Sequence, residues 1–209
     1  MHVILHDITK RYGDKVVLDS LQIDLVSGKR YALTGGSGIG KTTLLRLIAG
    51  LEKADKGFID IPDHAVISYA FQEPRLFPEL TVMENVNAID PENDGKEILE
   101  KLDLLLEADS YPSSLSGGMK LRAGLARALA KRADIHLIDE PTGGQDARHS
   151  TEIANAIRTY TKDSLCILST HDPALISALA DWMIVLQPSG AAVYPVESKT
   201  TDEIRDMMQ

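Results

Sequence analysis

The chain of 209 residues has one cysteine, one tryptophan and three phenylalanines, and aromatic residues make up 5% of it. A single cysteine, Cys166, excludes an internal disulfide and any metal site built from several thiolates; lying in an apolar run, it reads as a small buried hydrophobe. No stretch approaches the roughly 20 apolar residues that cross a bilayer. The best runs, around Ile135 to Ile138, Leu165 to Leu168 and Met183 to Leu186, have the length of strands. The opening Met-His-Val-Ile-Leu-His-Asp lacks a basic segment followed by an apolar one, so the expectation is a cytoplasmic protein with no direct membrane insertion. Positive charge is also in deficit: 22 Lys and Arg against 31 Asp and Glu leave a net charge of −9. That balance repels nucleic-acid backbones, and no nucleic-acid partner is expected. Internal repeats and low-complexity tracts are missing as well.

What is present is the composition of a folded protein, with 44% hydrophobic and 25% charged residues. Up to about residue 35 the pattern is that of strands: Leu21, Ile23 and Leu25 alternate with polar residues, and Tyr31 to Thr34 is a short run ending in glycines. From Thr42 to Leu51 the spacing becomes helical, with Leu44, Leu47, Ile48 and Leu51 on one face and Gly50 too near the end to matter. Residues 57 to 71 predict two more strands. Residues 81 to 132 turn helical, with Ile98, Leu102 and Leu105 at i, i+4 and i+7 and a long helix after Gly118. Strands at Ile135 to Asp139, Leu165 to Thr170 and Trp182 to Leu186 then alternate with helices over 147 to 162 and 173 to 180, which predicts a mostly parallel sheet wrapped by helices. Residues 196 to 209 read as a short polar tail with a helical turn or two.

Gly35-Gly36-Ser37-Gly38-Ile39-Gly40-Lys41-Thr42 fits G-x-x-x-x-G-K-[ST] and falls between a predicted strand and a predicted helix, where the motif has a mechanism. Glycines let successive backbone N–H groups turn inward on phosphate oxygens, and the positive end of the helix dipole reinforces them. Lys41 would meet the β- and γ-phosphates and the Thr42 hydroxyl would ligate Mg²⁺. Ile135 to Asp139 ends in two carboxylates, Asp139 and Glu140. Beside a phosphate loop, Asp139 suits Mg²⁺ through water and Glu140 suits activation of the attacking water.

Leu115-Ser116-Gly117-Gly118-Met119 precedes a helix and adds a second anion-binding helix start. With this segment the chain resembles an ATP-binding subunit of an ABC transporter, whose signature reads Leu-Ser-Gly-Gly-Gln. The resemblance implies a P-loop NTPase of the α/β class: a mostly parallel central sheet, an N-terminal antiparallel β subdomain and an inserted helical subdomain. It divides the single domain 1–209 into a nucleotide-binding core (1–72 and 133–195), a helical subdomain (73–132) and a tail (196–209). ATP binding falls to Tyr12, on which adenine stacks, and to Gly35, Gly36, Ser37, Gly38, Ile39, Gly40, Lys41, Thr42 and Thr43. Glu140, His171 and Gln72 become the catalytic residues, with His171 on the γ-phosphate, and Thr42, Gln72 and Asp139 the metal ligands. Ser116, Gly117, Gly118 and Met119 act in trans on the ATP of a second copy or a homologous subunit, and Asp146 lies in a loop that crosses that interface. ATP and Mg²⁺ are the implied cofactors, and integral membrane permease subunits the implied partners, holding the protein peripherally on the cytoplasmic face of the membrane. Leu76, Phe77 and Leu80 form the expected docking surface near Gln72.

Three departures from the family pattern stand out. Met119 replaces the signature glutamine, Ile39 replaces a small residue, and Gly143-Gly144-Gln145-Asp146 stands where Ser-Ala-Leu-Asp is commoner. Two adjacent glycines predict a loosened interface loop. A soluble ABC-type ATPase acting on DNA or ribosomes shares these motifs, but it uses a long coiled coil or a second cassette that this sequence lacks. A kinase or GTPase has no use for Leu-Ser-Gly-Gly. Cargo selectivity lies in other subunits; here only Pro74-Arg-Leu-Phe-Pro78 resembles importers of small anions and vitamin precursors.

Overall fold

Two sheets carry the chain in the computed structural model, which describes residues 1–90, 95–188, 190–197 and 199–208. The first is antiparallel, in the order β2 (Lys15–Val26), β1 (His2–Tyr12), β4 (Lys56–Asp60). Strict alternation builds it: Leu21, Ile23 and Leu25 of β2 are buried, while Gln22, Asp24 and Val26 face out. The second sheet runs β5 (Ile67–Ala70), β6 (Ile135–Asp139), β7 (Leu165–Ser169), β3 (Arg30–Thr34), β8 (Trp182–Gln187), β9 (Gly190–Pro195). Its pairs are parallel except β8 with β9.

Every residue of β6 and β7 is buried, as expected of strands covered on both faces. Alternate side chains feed different cores. Ile135, Leu137, Leu165 and Ile167 pack with α1 (Lys41–Ile48) and the antiparallel sheet, whereas Ile138, Cys166 and Leu168 pack with α4 (Gly117–Ala130), α5 (Ala147–Tyr160) and α6 (Pro173–Leu179). The same second core takes in α2 (Val82–Asn87) and α3 (Lys96–Lys101), which precede α4. Among the described residues no helix is long and apolar enough to cross a membrane.

The expected α/β architecture is present, with local differences. Helix α1 stops at Ile48 rather than Leu51, because Gly50 adopts φ 69 and closes a Schellman cap: its N–H meets the Leu47 carbonyl at 3.0 Å and the Leu51 N–H meets the Arg46 carbonyl at 2.9 Å. Leu51 is therefore 56% exposed instead of joining the buried face. In the helical stretch, Asp103 at φ 52 breaks the run, so Leu104 rather than Leu105 is buried below Ile98 and Leu102. Residues 91–94 of that stretch lie outside the described residues. An unexpected sixth strand, β9, pairs with β8, and the tail beyond it is not merely polar: α7 (Thr201–Met207) carries a capping box at Thr200 and buries Ile204 against Val196, Met183 and Ile176.

His136 lies on β6 between Ser68 and Cys166 and is 2% exposed. Burial depresses its pKa to about 4. The unfolded chain thus takes up a proton near pH 6.5 that the folded chain refuses until about pH 4, and stability falls as the pH drops through that window. His136→Leu should remove a loss of about 3 kcal/mol between pH 7 and pH 4, judged at 1.36 kcal/mol per pK unit. Denaturant unfolding of both proteins across that range checks it; parallel losses in the two would refute it.

Candidate functional site

The phosphate loop leaves β3 at Thr34 and enters α1 at Lys41. Gly40 occupies the helix N-cap at φ 117, and a Cβ there would come within 2.8 Å of Val17 Cγ1, so the loop closes on the antiparallel sheet only with glycine. Lys41 is 8% exposed, and its Nζ donates to the carbonyls of Gly35 at 3.0 Å and Gly36 at 3.3 Å. Burial lowers its pKa, while Glu140 and Asp139 pull it back up.

A cleft of about 380 Å³ opens over this loop. Ser37, Gly38, Gly40, Lys41, Thr42 and Thr43 line one side, Asp139, Glu140, His171 and Gln72 another, and Tyr12 with Lys15 and Val17 of the antiparallel sheet the rim. The structure thus brings together Tyr12, most of the phosphate loop and all the expected catalytic and metal residues. Asp139 is buried at the end of β6, with the Ser169 hydroxyl donating to its Oδ1 at 2.5 Å. Glu140 follows at φ 49, a left-handed turn that swings its side chain off the strand line and toward His171, whose Nε2 is 3.2 Å from Glu140 Oε1. Burial raises the Glu140 pKa, against the opposing pull of His171 and Lys41, which suits a carboxylate that must accept a proton. Gln72 also lines an adjoining hollow of about 140 Å³ with Thr42, Arg46, Tyr69 and Asp139. The Tyr12 hydroxyl donates to Glu52, which also takes ion pairs from Lys10 and Arg46; sequence spacing does not reveal the Tyr12–Glu52 tether, whose two residues lie forty positions apart.

Ser116 caps α4, its hydroxyl accepting the Met119 N–H at 3.2 Å, and around Gly117 an added Cβ would meet open space. Neither these residues nor Gly118 and Met119 line the cleft. Asp146 caps α5 by accepting the His149 N–H at 2.9 Å, and the preceding Gln145 donates to the Gly118 carbonyl at 3.2 Å, tying the segment before α5 to the start of α4. Nothing in the spacing of Gln145 marked that link. Leu76 and Leu80 differ from expectation: both are half-buried, Leu76 against the helical core, and only Phe77 is exposed, at 43%.

The donor set fits a magnesium–triphosphate. An ammonium, hydroxyls and a helix N-terminus face two carboxylates across one cleft, and an anion placed there would be repelled by Asp139 and Glu140 unless a divalent cation lay between them. The volume also falls in the range of small-molecule sites. The family model described as ABC transporter matches residues 18–143.

The chain belongs to the ABC transporter family.

Within that family it is of the ATP-binding, ATPase subunit type. The aliphatic sulfonates import ATP-binding protein SsuB 1 of Mesorhizobium japonicum is 36% identical over 200 residues, covering 89% of this chain and 76% of that protein. The sulfate/thiosulfate import ATP-binding protein CysA 2 of Shewanella oneidensis is 37% identical over 210 residues, covering 89% of this chain and 59% of that longer protein. Among solved structures, the dimeric bacterial ABC transporter cassette MJ0796 superposes with a TM-score of 0.83 at 25% identity, over 94% of this chain and all of the other.

In this ABC subunit the double glycine lies in a hydrogen-bonded turn. Gly143 N–H bonds to the Glu140 carbonyl and Gln145 N–H to the Thr142 carbonyl, and Gly144 sits between them at φ 70. The turn needs that conformation. Gly144→Ala should lower stability by about 1–2 kcal/mol, the cost of a Cβ in the left-handed region, although open space surrounds it. Gly143→Ser, with a normal contact to the Glu140 carbonyl, should stay within about 0.5 kcal/mol. Thermal unfolding of the two single variants distinguishes them, and equal effects would contradict this account of the turn.

Proposed function

We propose that this chain binds and hydrolyses ATP with Mg²⁺ to power a membrane importer, and that ATP-dependent closure of a dimer is the power stroke. The observation that carries the reading is the separation of the two anion-binding helix starts: the phosphate loop belongs to the cleft with Asp139 and Glu140, while Ser116 to Met119 do not. One chain then holds two half-sites, and a second copy or a homologous subunit supplies the missing half of each, as two-fold pairing allows. Division into a nucleotide-binding core (1–72 and 133–195) and a helical subdomain (73–132) goes with this reading.

Lys41 and the loop amides hold the phosphates, and Tyr12 offers its ring to adenine. Thr42, Asp139 and Gln72 would hold Mg²⁺, which supplies charge neutralisation on the phosphate oxygens. Glu140 takes the proton of the attacking water; a pKa raised by burial and the neighbouring His171 support that role. His171 orients Glu140 and meets the γ-phosphate. For Glu140→Gln, ATP binding should persist while turnover drops by more than ~100-fold and ATP-bound dimers accumulate. Turnover at the normal rate in that variant would remove Glu140 from the mechanism.

Membrane permease subunits are the proposed partners, placing the protein peripherally on the cytoplasmic face. Phe77, exposed in the segment that follows Gln72 and with Arg127 5.3 Å from its ring centroid, is the proposed anchor for them. Sulfonate and sulfate import by the named relatives supports a small sulfur oxyanion as cargo, in keeping with the Pro74–Pro78 resemblance. Phe77→Asp should leave nucleotide binding intact and cut coupled transport at least about tenfold, the scale of losing one aromatic anchor. Vesicles containing the permease give the readout, and undiminished transport would exclude Phe77 from docking.

A further inference from the structure

Ser169 ends β7, which lies between the strand feeding the phosphate loop and the strand ending in the two acids: it pairs with Leu33 on one side and with Asp139 on the other. Its four predecessors on β7, Leu165 to Leu168, are apolar, and all five residues are buried. A hydroxyl in such a strand is costly unless it is bonded. Here it is bonded twice, at 2.5 Å to Asp139 Oδ1 and at 3.0 Å to the Glu140 amide nitrogen. A carboxylate only accepts and an amide N–H only donates, so the roles are fixed: Ser169 donates to Asp139 and accepts from Glu140. The Ser169 carbonyl shares the same Glu140 N–H at 3.2 Å. Glu140 has need of that double grip, since φ 49 is a conformation that residues with a side chain disfavour.

We propose that Ser169 is a positioning residue that locks the metal-binding acid and the water-activating acid into one unit through a single hydroxyl. The inference rests on the roles of Asp139 and Glu140 given above. Ser169 does not line the cleft, so it acts through those two residues and not on the nucleotide. Without the hydroxyl, Asp139 Oδ1 loses its donor and the carboxylate, whose terminal torsion is soft, turns away from one fixed orientation. Lys41 and the phosphate loop keep their own bonds. A split between metal-dependent and metal-free binding follows.

The test is a Mg²⁺ titration of ATP binding by the full chain in wild type and in Ser169→Ala, Ser169→Thr and Ser169→Val. Thr and Val share a shape and differ in the hydroxyl. In Ser169→Ala the Mg²⁺ midpoint should rise at least ~10-fold, the usual effect of losing a bond to a metal ligand, while ATP affinity in chelator stays within about twofold. Ser169→Thr should hold a lower midpoint than Ser169→Val. A wild-type midpoint in Ser169→Ala, or equal midpoints for Thr and Val, overturns the proposal. Wild-type protein that binds no ATP, or binds it without response to Mg²⁺, would instead overturn the underlying reading of the site.

Discussion

Three parallel strands that end level with one another hold this site together. Leu33 of β3 pairs with Ser169 of β7, and Ser169 with Asp139 of β6, so the phosphate loop and the acids are set by backbone ladders before any side chain chooses a rotamer. A slip of one residue in either pairing would exchange the two cores of the protein, because Ile135, Leu137 and Ile138 alternate between them. Such a slip would bury the wrong faces along several strands at once, at roughly 1.5–3 kcal/mol for each large side chain misplaced. Packing far from the cleft therefore fixes distances inside it.

Electrostatics then decides what such a cleft accepts. With a net charge of −9, the chain as a whole repels a nucleotide, and the local field must overcome that. Lys41 alone does not do so, for it shares its surroundings with Asp139 and Glu140, and unit charges about 4 Å apart interact at about 4 kcal/mol under an effective dielectric near 20. With Lys15 at the rim, two ammonium groups only match the two carboxylates and leave no surplus of positive charge for a triphosphate. Backbone amides at the start of α1 add partial positive charge without adding a counter-ion. The remaining imbalance is what a divalent metal removes, and this is why the same two acids that would discourage free ATP favour the metal complex.

Motifs on one contiguous stretch were legible in the sequence, because their chemistry is local: the glycines and Lys41 need only a strand before them and a helix after them. Strands with simple alternation, such as β2, and wholly apolar ones, such as β6 and β7, were equally legible. Errors arose where a tertiary partner or a backbone conformation decided the outcome. Leu51 fits the helical period of α1, yet Gly50 turns the chain before that period is completed. Edge strand β9 is Gly-Ala-Ala-Val-Tyr-Pro, a short run of mostly small residues without clear alternation, and is held by pairing with β8. Leu76 and Leu80 look exposed in a Pro-rich segment, yet both are half-buried, Leu76 against the helical core. Ser169 was hidden most completely, since its meaning lies in Asp139, thirty residues away in sequence and adjacent in the sheet.

The cleft is also incomplete as chemistry. Tyr12 is 47% exposed and the His171 side chain 51% exposed, so two of the groups meant to face the nucleotide still face solvent. Phosphoryl transfer gains from excluding water, which strengthens every interaction around the γ-phosphate. In the proposed dimer, the surface that a partner adds over the γ-phosphate would need to bind anions and carry little side-chain bulk. Ser116 and Gly117, exposed at the start of α4 with open space where a Cβ would be, have that character and sit outside the cleft. Because Gln145 fastens the segment around Asp146 to Gly118, a partner copy that presented the start of its α4 in the proposed dimer would present that segment with it. In the proposed dimer, covering the triphosphate and sensing its presence at the interface would then be a single mechanical event.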